Sequence, residues 1–124
     1  MNHRYHRTVD DKTFPVVPVT IISPVTGDRV QTTFRVDTGA DMTLIPMKQA
    51  LKLQLDPTEK IYLADYDMRF RIHQGFFVHI TIGDQVFSGI EVVASKSNAA
   101  LLGLDILNQL KVTLDGPKKQ LLIH

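Results

Sequence analysis

The sequence predicts an all-β domain of closed, barrel-like build. Short β-branched and apolar runs recur along the chain, separated at regular spacing by Gly, Pro, Asn and Asp turn signals. Helical patterning is scarce: a brief segment after Pro46, and one around Leu104, Leu107 and Leu110. The composition is ordinary for a globular protein, with 44% hydrophobic and 22% charged residues, and 124 residues make one domain.

The elements follow in order. Residues 1–15 are expected to form an N-terminal arm, an edge or interface strand made basic by His3, Arg4, His6 and Arg7. Residues 16–124 form the domain proper. A strand at 16–23, broken by Pro18, turns through Pro24-Val25-Thr26-Gly27-Asp28 into a returning strand at 29–36. A short strand is expected at 42–45, and Pro46 suits the first position of a brief helix running to Leu51. Residues 52–58 connect. Two strands, 59–64 and 68–73, flank Asp65-Tyr66-Asp67. Residues 76–82 and 85–87 read as a hairpin with Gly83-Asp84 at its tip. A buried strand at 90–94 and a polar loop at 95–98 lead to a helix at 103–109. Strands at 111–114 and 120–123 flank the turn Asp115-Gly116-Pro117-Lys118.

Several function classes are disfavoured by composition. A net charge of +1 makes no electrostatic case for a nucleic-acid partner. Cysteine is absent, which removes disulfides, thiol nucleophiles and cysteine zinc sites and fits a reducing compartment. No apolar run approaches the ~20 residues of a membrane span, and the N-terminus lacks the apolar core of a signal peptide. A cytoplasmic protein without membrane partners is the expectation. Gly-x-Ser-x-Gly, His-Glu-x-x-His and Gly-rich phosphate loops do not occur. His73 and His79 are expected to be satisfied locally within strands, and neither a metal nor a cofactor is expected.

The chemistry concentrates at residues 34–41, where a strand of alternating apolar character ends on Asp37-Thr38-Gly39. Aspartic proteases need that order: the strand holds the carboxylate, the small hydroxyl can bond across to a partner loop, and glycine admits a sharp turn beside substrate. About sixty-five residues downstream, Ala99-Ala100-Leu101-Leu102-Gly103-Leu104-Asp105 closes an apolar run on glycine and enters the amphipathic segment. These two blocks, with Val36 before Asp37 and Leu44-Ile45-Pro46 after it, resemble the retropepsin family over residues 16–122, and the stand-alone cellular members more than the viral ones.

The resemblance implies an aspartic endopeptidase acting on peptide or protein substrates. Asp37, Thr38 and Gly39 would form the catalytic loop. Ala40, Asp41, Ala64, Asp65, Tyr66, Leu101 and Leu102 would contact substrate, with residues 65–67 in the place of the flap, the arm that closes over the cleft. The chain departs from the family in two places. Tyr66 stands where glycine is usual, and Leu104 replaces the arginine that viral members pair with the residue at Asp41. Asp105 is expected to cap or anchor the helix start.

Counting sets the quaternary expectation. The mechanism needs two aspartates sharing a proton, and this chain carries one Asp-Thr-Gly. A symmetric homodimer would bring the second Asp37 to a two-fold axis. The alternative is an inactive module that keeps the fold to bind peptides or act as a scaffold.

Overall fold

The computed structural model describes residues 1–64 and 67–124. The expected substrate contacts Asp65 and Tyr66 lie outside the described residues. In chain order the strands and helices are β1 (Asn2–Arg4), β2 (His6–Arg7), β3 (Thr13–Phe14), β4 (Val16–Ile22), β5 (Arg29–Val36), β6 (Leu44–Pro46), α1 (Met47–Lys52), β7 (Pro57–Ala64), β8 (Phe70–Ile82), β9 (Gln85–Ser95), β10 (Leu101–Leu102), α2 (Leu104–Leu107), β11 (Val112–Asp115) and β12 (Gln120–Ile123).

Alternation explains the core. In β4, Val17, Val19 and Ile21 point inward and are essentially fully buried, while Val16, Pro18 and Thr20 face outward. The even residues of β8, from Phe76 through Val78 and Ile80 to Ile82, do the same. These side chains meet Phe34, Ile45, Val92, Leu102, Ile106 and Leu121 in one cluster.

The main sheet runs β4-β5-β10-β6-β9-β8-β7, and an additional β4–β8 pairing closes it on itself, leaving β7 attached outside the ring. Closure removes the free edges that an open sheet would present. The β5–β10 and β6–β9 pairs are parallel, whereas β10 and β6 run antiparallel. Residues 101–102 are thereby wedged between the strand entering the Asp37 loop and the strand leaving it. A second sheet, β1-β12-β11, joins the two ends of the chain, and the Met1 ammonium donates to the Ile123 carbonyl at 2.9 Å.

Two expected breaks are continuous strands. The expected strands at 68–73 and 76–82 fall in one strand, β8, which begins only at Phe70 and pairs with β7 in its first half and with β4 in its second. Gly75 makes this possible, since a Cβ there would sit 2.5 Å from Thr58 Oγ1 and 2.7 Å from Ile61 Cδ1. Likewise β9 runs through the expected gap at 88–89. Gly89 adopts φ +63° there, the register shifts between Val78 and Ile80, and the Gly89 N–H donates to His79 Nδ1 at 2.9 Å. The expected helix at 103–109 is shorter, because Gly103 is extended and the bonds from Gln109 to Ile106 and from Leu110 to Leu107 tighten the end into turns. Among the described residues no helix is long and apolar enough to cross a membrane.

Candidate active site

The Asp37 loop is held from both sides by backbone hydrogen bonds. Val36 N–H donates to Pro15 C=O at 3.0 Å, and Asp37 N–H to Leu102 C=O at 3.0 Å. Beyond it, Ala40 N–H turns back to Asp37 C=O at 3.2 Å, and Gly39 N–H donates to the Asp37 carboxylate at 2.9 Å. A rigid, half-buried carboxylate results. The glycine is needed for proximity rather than for a left-handed backbone. Its φ is not positive, but a Cβ at Gly39 would stand 3.2 Å from Asp37 Oδ1.

The downstream block grips the same loop. Leu104 N–H donates to Ala40 C=O at 2.8 Å and Asp105 N–H to Asp41 C=O at 3.3 Å. Contact this close admits no side chain at Gly103, where a Cβ would lie 2.7–2.8 Å from backbone atoms of Ala40 and Met42. Asp105 completes the grip. Its carboxylate accepts from Thr43 N–H at 3.0 Å and Thr43 Oγ1 at 2.7 Å, and Thr43 Oγ1 accepts in turn from Gly103 N–H at 3.1 Å. Thr43 is fully buried, so this network stands in place of water for every polar group it engages. Asp105 thus anchors the helix start to the loop. Asp105→Ala should cost about 2 kcal/mol by leaving Thr43 short of its partners. Asp105→Asn should cost less, because one oxygen still accepts; urea unfolding of the two variants checks the order.

A cavity of about 590 Å³ opens over the loop. Asp37, Gly39, Ala40 and Asp41 line its floor, and Ala64 and Leu101 its walls, so six of the expected site residues come together. Thr38 is exposed and is not among the residues that line the cavity. Leu102 packs in the core with no exposed surface, because in the two-residue β10 successive side chains take opposite faces and only Leu101 can reach the cleft.

Sequence reasoning missed Met42, Leu44, Leu63, Met68 and His73, which also line the cavity. Leu63 and His73 were within reach of a periodicity argument: in the β7–β8 ladder Leu63 stands opposite Arg71 and Ile61 opposite His73, so all four share one face. Met68 was not, since its position comes from a turn with φ +63°. Its neighbour Asp67 accepts from the Arg69 N–H at 3.1 Å and forms a two-bond fork with Arg71, at 3.1 and 3.3 Å. The Arg71 guanidinium, and after it the Arg69 amide, hold the Asp67 carboxyl below the usual carboxylate range. A depressed value means the fork is intact above the ordinary carboxylate range and is lost as pH falls through the lowered one. Amide shifts of residues 67–71 should therefore move at lower pH than for an unpaired aspartate, and Arg71→Gln should bring that transition to higher pH. Among the described residues no three His, Asp or Glu side chains gather in a group suited to a metal ion.

The family model described as "gag-polyprotein putative aspartyl protease" matches residues 23–109, well over half of the chain and inclusive of both the Asp37 loop and the Gly103 block. The chain belongs to this aspartyl protease family. No curated protein matches it in sequence. A retropepsin-like aspartic protease from Rickettsia conorii superposes with a TM-score of 0.62 at 22% identity, over 98% of this chain and 88% of that one. The EIAV protease, solved in complex with the inhibitor HBY-793, superposes at 0.59 with 17% identity, over 82% of this chain and 92% of that one. The fold is therefore that of the retropepsins, as the two sequence blocks implied.

Proposed function

We propose that the protein is an aspartic endopeptidase that acts as a homodimer, with Asp37 from each protomer forming the catalytic pair. The observation that carries this reading is the Asp37 carboxylate, fixed by the Gly39 amide on the floor of a peptide-sized cleft. One carboxylate takes a proton from water as the water oxygen adds to the scissile carbonyl carbon. The other donates its proton to the carbonyl oxygen. Collapse of the tetrahedral adduct then breaks the C–N bond, and a proton passes to the departing amine.

The rest of the site fits that chemistry. Thr38 is exposed, which leaves it accessible to a second copy. Leu63 and Ala64 at the end of β7, Met68 before β8 and His73 within it line the cleft, and this part of the chain is the one to which we assign the flap. Met42, Leu44, Leu63 and Leu101 make the walls apolar, which favours peptides with apolar side chains around the scissile bond.

The dimer requirement has its own test. Specific activity on a peptide library should fall on dilution as monomers accumulate. Refolding wild-type chain with about a ninefold excess of Asp37→Asn chain should suppress cleavage to roughly a tenth, because most wild-type chains then carry an inactive partner. Activity that stays constant per chain where sedimentation shows dissociation would sink the shared dyad.

A further inference from the structure

A second cavity, of about 410 Å³, lies where the N-terminal arm meets the β11–β12 turn, and shares no lining residue with the Asp37 cleft. Arg4, Arg7, Lys118 and Lys119 surround it together with Tyr5 and Gln120, and no carboxylate lines it. Backbone pairing brings these residues together. Arg4 is opposite Gln120 in the β1–β12 ladder, and Tyr5 N–H donates to Lys119 C=O at 3.0 Å. Lys118 N–H is tied to the Asp115 carboxylate at 3.1 Å. Two segments more than a hundred residues apart are thus pinned so that their cations converge.

The charge is local and largely uncompensated. The whole chain carries only +1, yet four of its 14 Lys and Arg residues sit around this one opening. Arg7 pairs with Asp11 at the rim. Among the described residues no carboxylate forms an ion pair with Arg4, Lys118 or Lys119. Neighbouring like charges repel by about 1 kcal/mol at close range even in water. A bound anion would attract each of these cations and so offset that repulsion.

We propose that this cavity binds a small polyphosphate-type anion, a di- or triphosphate group either inorganic or carried on a nucleotide. Guanidinium forks match phosphate oxygens two at a time, and lysines add mobile point charges. The volume falls within the ~300–1,000 Å³ of small-ligand sites. Several charges on one compact ligand suit it better than an acidic peptide, whose carboxylates are spread along a chain at about 3.3–3.6 Å per residue.

Calorimetric titration of the whole chain tests this, with inorganic tripolyphosphate, ATP, sulfate and hexaglutamate compared at matched ionic strength. Tripolyphosphate should bind one to one and about tenfold or more tighter than sulfate. Lys118→Gln and Arg4→Gln should each weaken it about three- to tenfold, and Lys60→Gln on β7 should not. Equal affinity for ATP and tripolyphosphate would assign recognition to the phosphates alone, and tighter ATP binding would add the nucleoside. Amide shifts centred on residues 4–7 and 118–120 give a readout that needs no variant. Binding no tighter than sulfate, an equal loss in Lys60→Gln, shifts centred elsewhere, or preference for hexaglutamate would overturn the assignment.

Discussion

Asp37→Asn should abolish peptide cleavage, by about a thousandfold or more, while leaving the fold and its thermal midpoint nearly unchanged. The side chains are almost the same shape, and an asparagine carbonyl oxygen can still accept the Gly39 N–H now held at 2.9 Å. What disappears is the group proposed to take and return a proton. In the proposed homodimer both protomers would carry the substitution, so both members of the pair would be lost at once. Cleavage of a peptide library, alongside a thermal melt of the same preparation, is the measurement. Cleavage persisting in the variant would end the aspartic-protease reading, and the inactive-module alternative would gain if the wild type cleaved nothing either.

Gly103→Ala should cost about 3 kcal/mol of stability, and most of the activity with it. The new Cβ would meet backbone at 2.7–2.8 Å on the Ala40–Met42 segment, and backbone cannot rotate aside as a flexible side chain can. Relief requires the helix start to move away from the loop. That movement lengthens the Leu104-to-Ala40 and Asp105-to-Asp41 bonds and loosens the Thr43–Asp105 network in one step. With native stability of only about 5–15 kcal/mol in a typical domain, the loss should be plain in urea unfolding. Gly116→Ala is the matched control: it has no positive φ and nothing within 4 Å of the added Cβ, so it should be nearly silent. Equal costs for the two substitutions would refute the contact argument.

The two blocks that define the site were legible because each is a run of adjacent residues under a local demand. Asp37-Thr38-Gly39 needs a carboxylate at a strand end and room beside it, and Leu101-Leu102-Gly103 needs apolar wedge residues and a position without a side chain. The strand pattern was legible for a similar reason, since alternation of Val17, Val19 and Ile21 reports one buried face directly. Where expectation and structure part, the cause is distant. Gly75 and Gly89 look like breaks in the sequence, yet each lies inside a strand. Gly75 is crowded by Thr58 and Ile61 from β7, and Gly89 sits at a bulge bonded to His79.

By sequence alone, then, the all-β class, the retropepsin family and the loop that bears Asp37 could be read, because periodicity and contiguous motifs are properties of neighbours along the chain. Tertiary structure was needed to separate Leu101 in the cleft from Leu102 in the core, to carry Met68 to the cavity wall, and to bind Asp105 to Thr43. It also drew Arg4 and Lys119 together across the joined chain ends. Those placements depend on which strands pair and in what register, and register is set by the burial of the whole core at once rather than by any one segment.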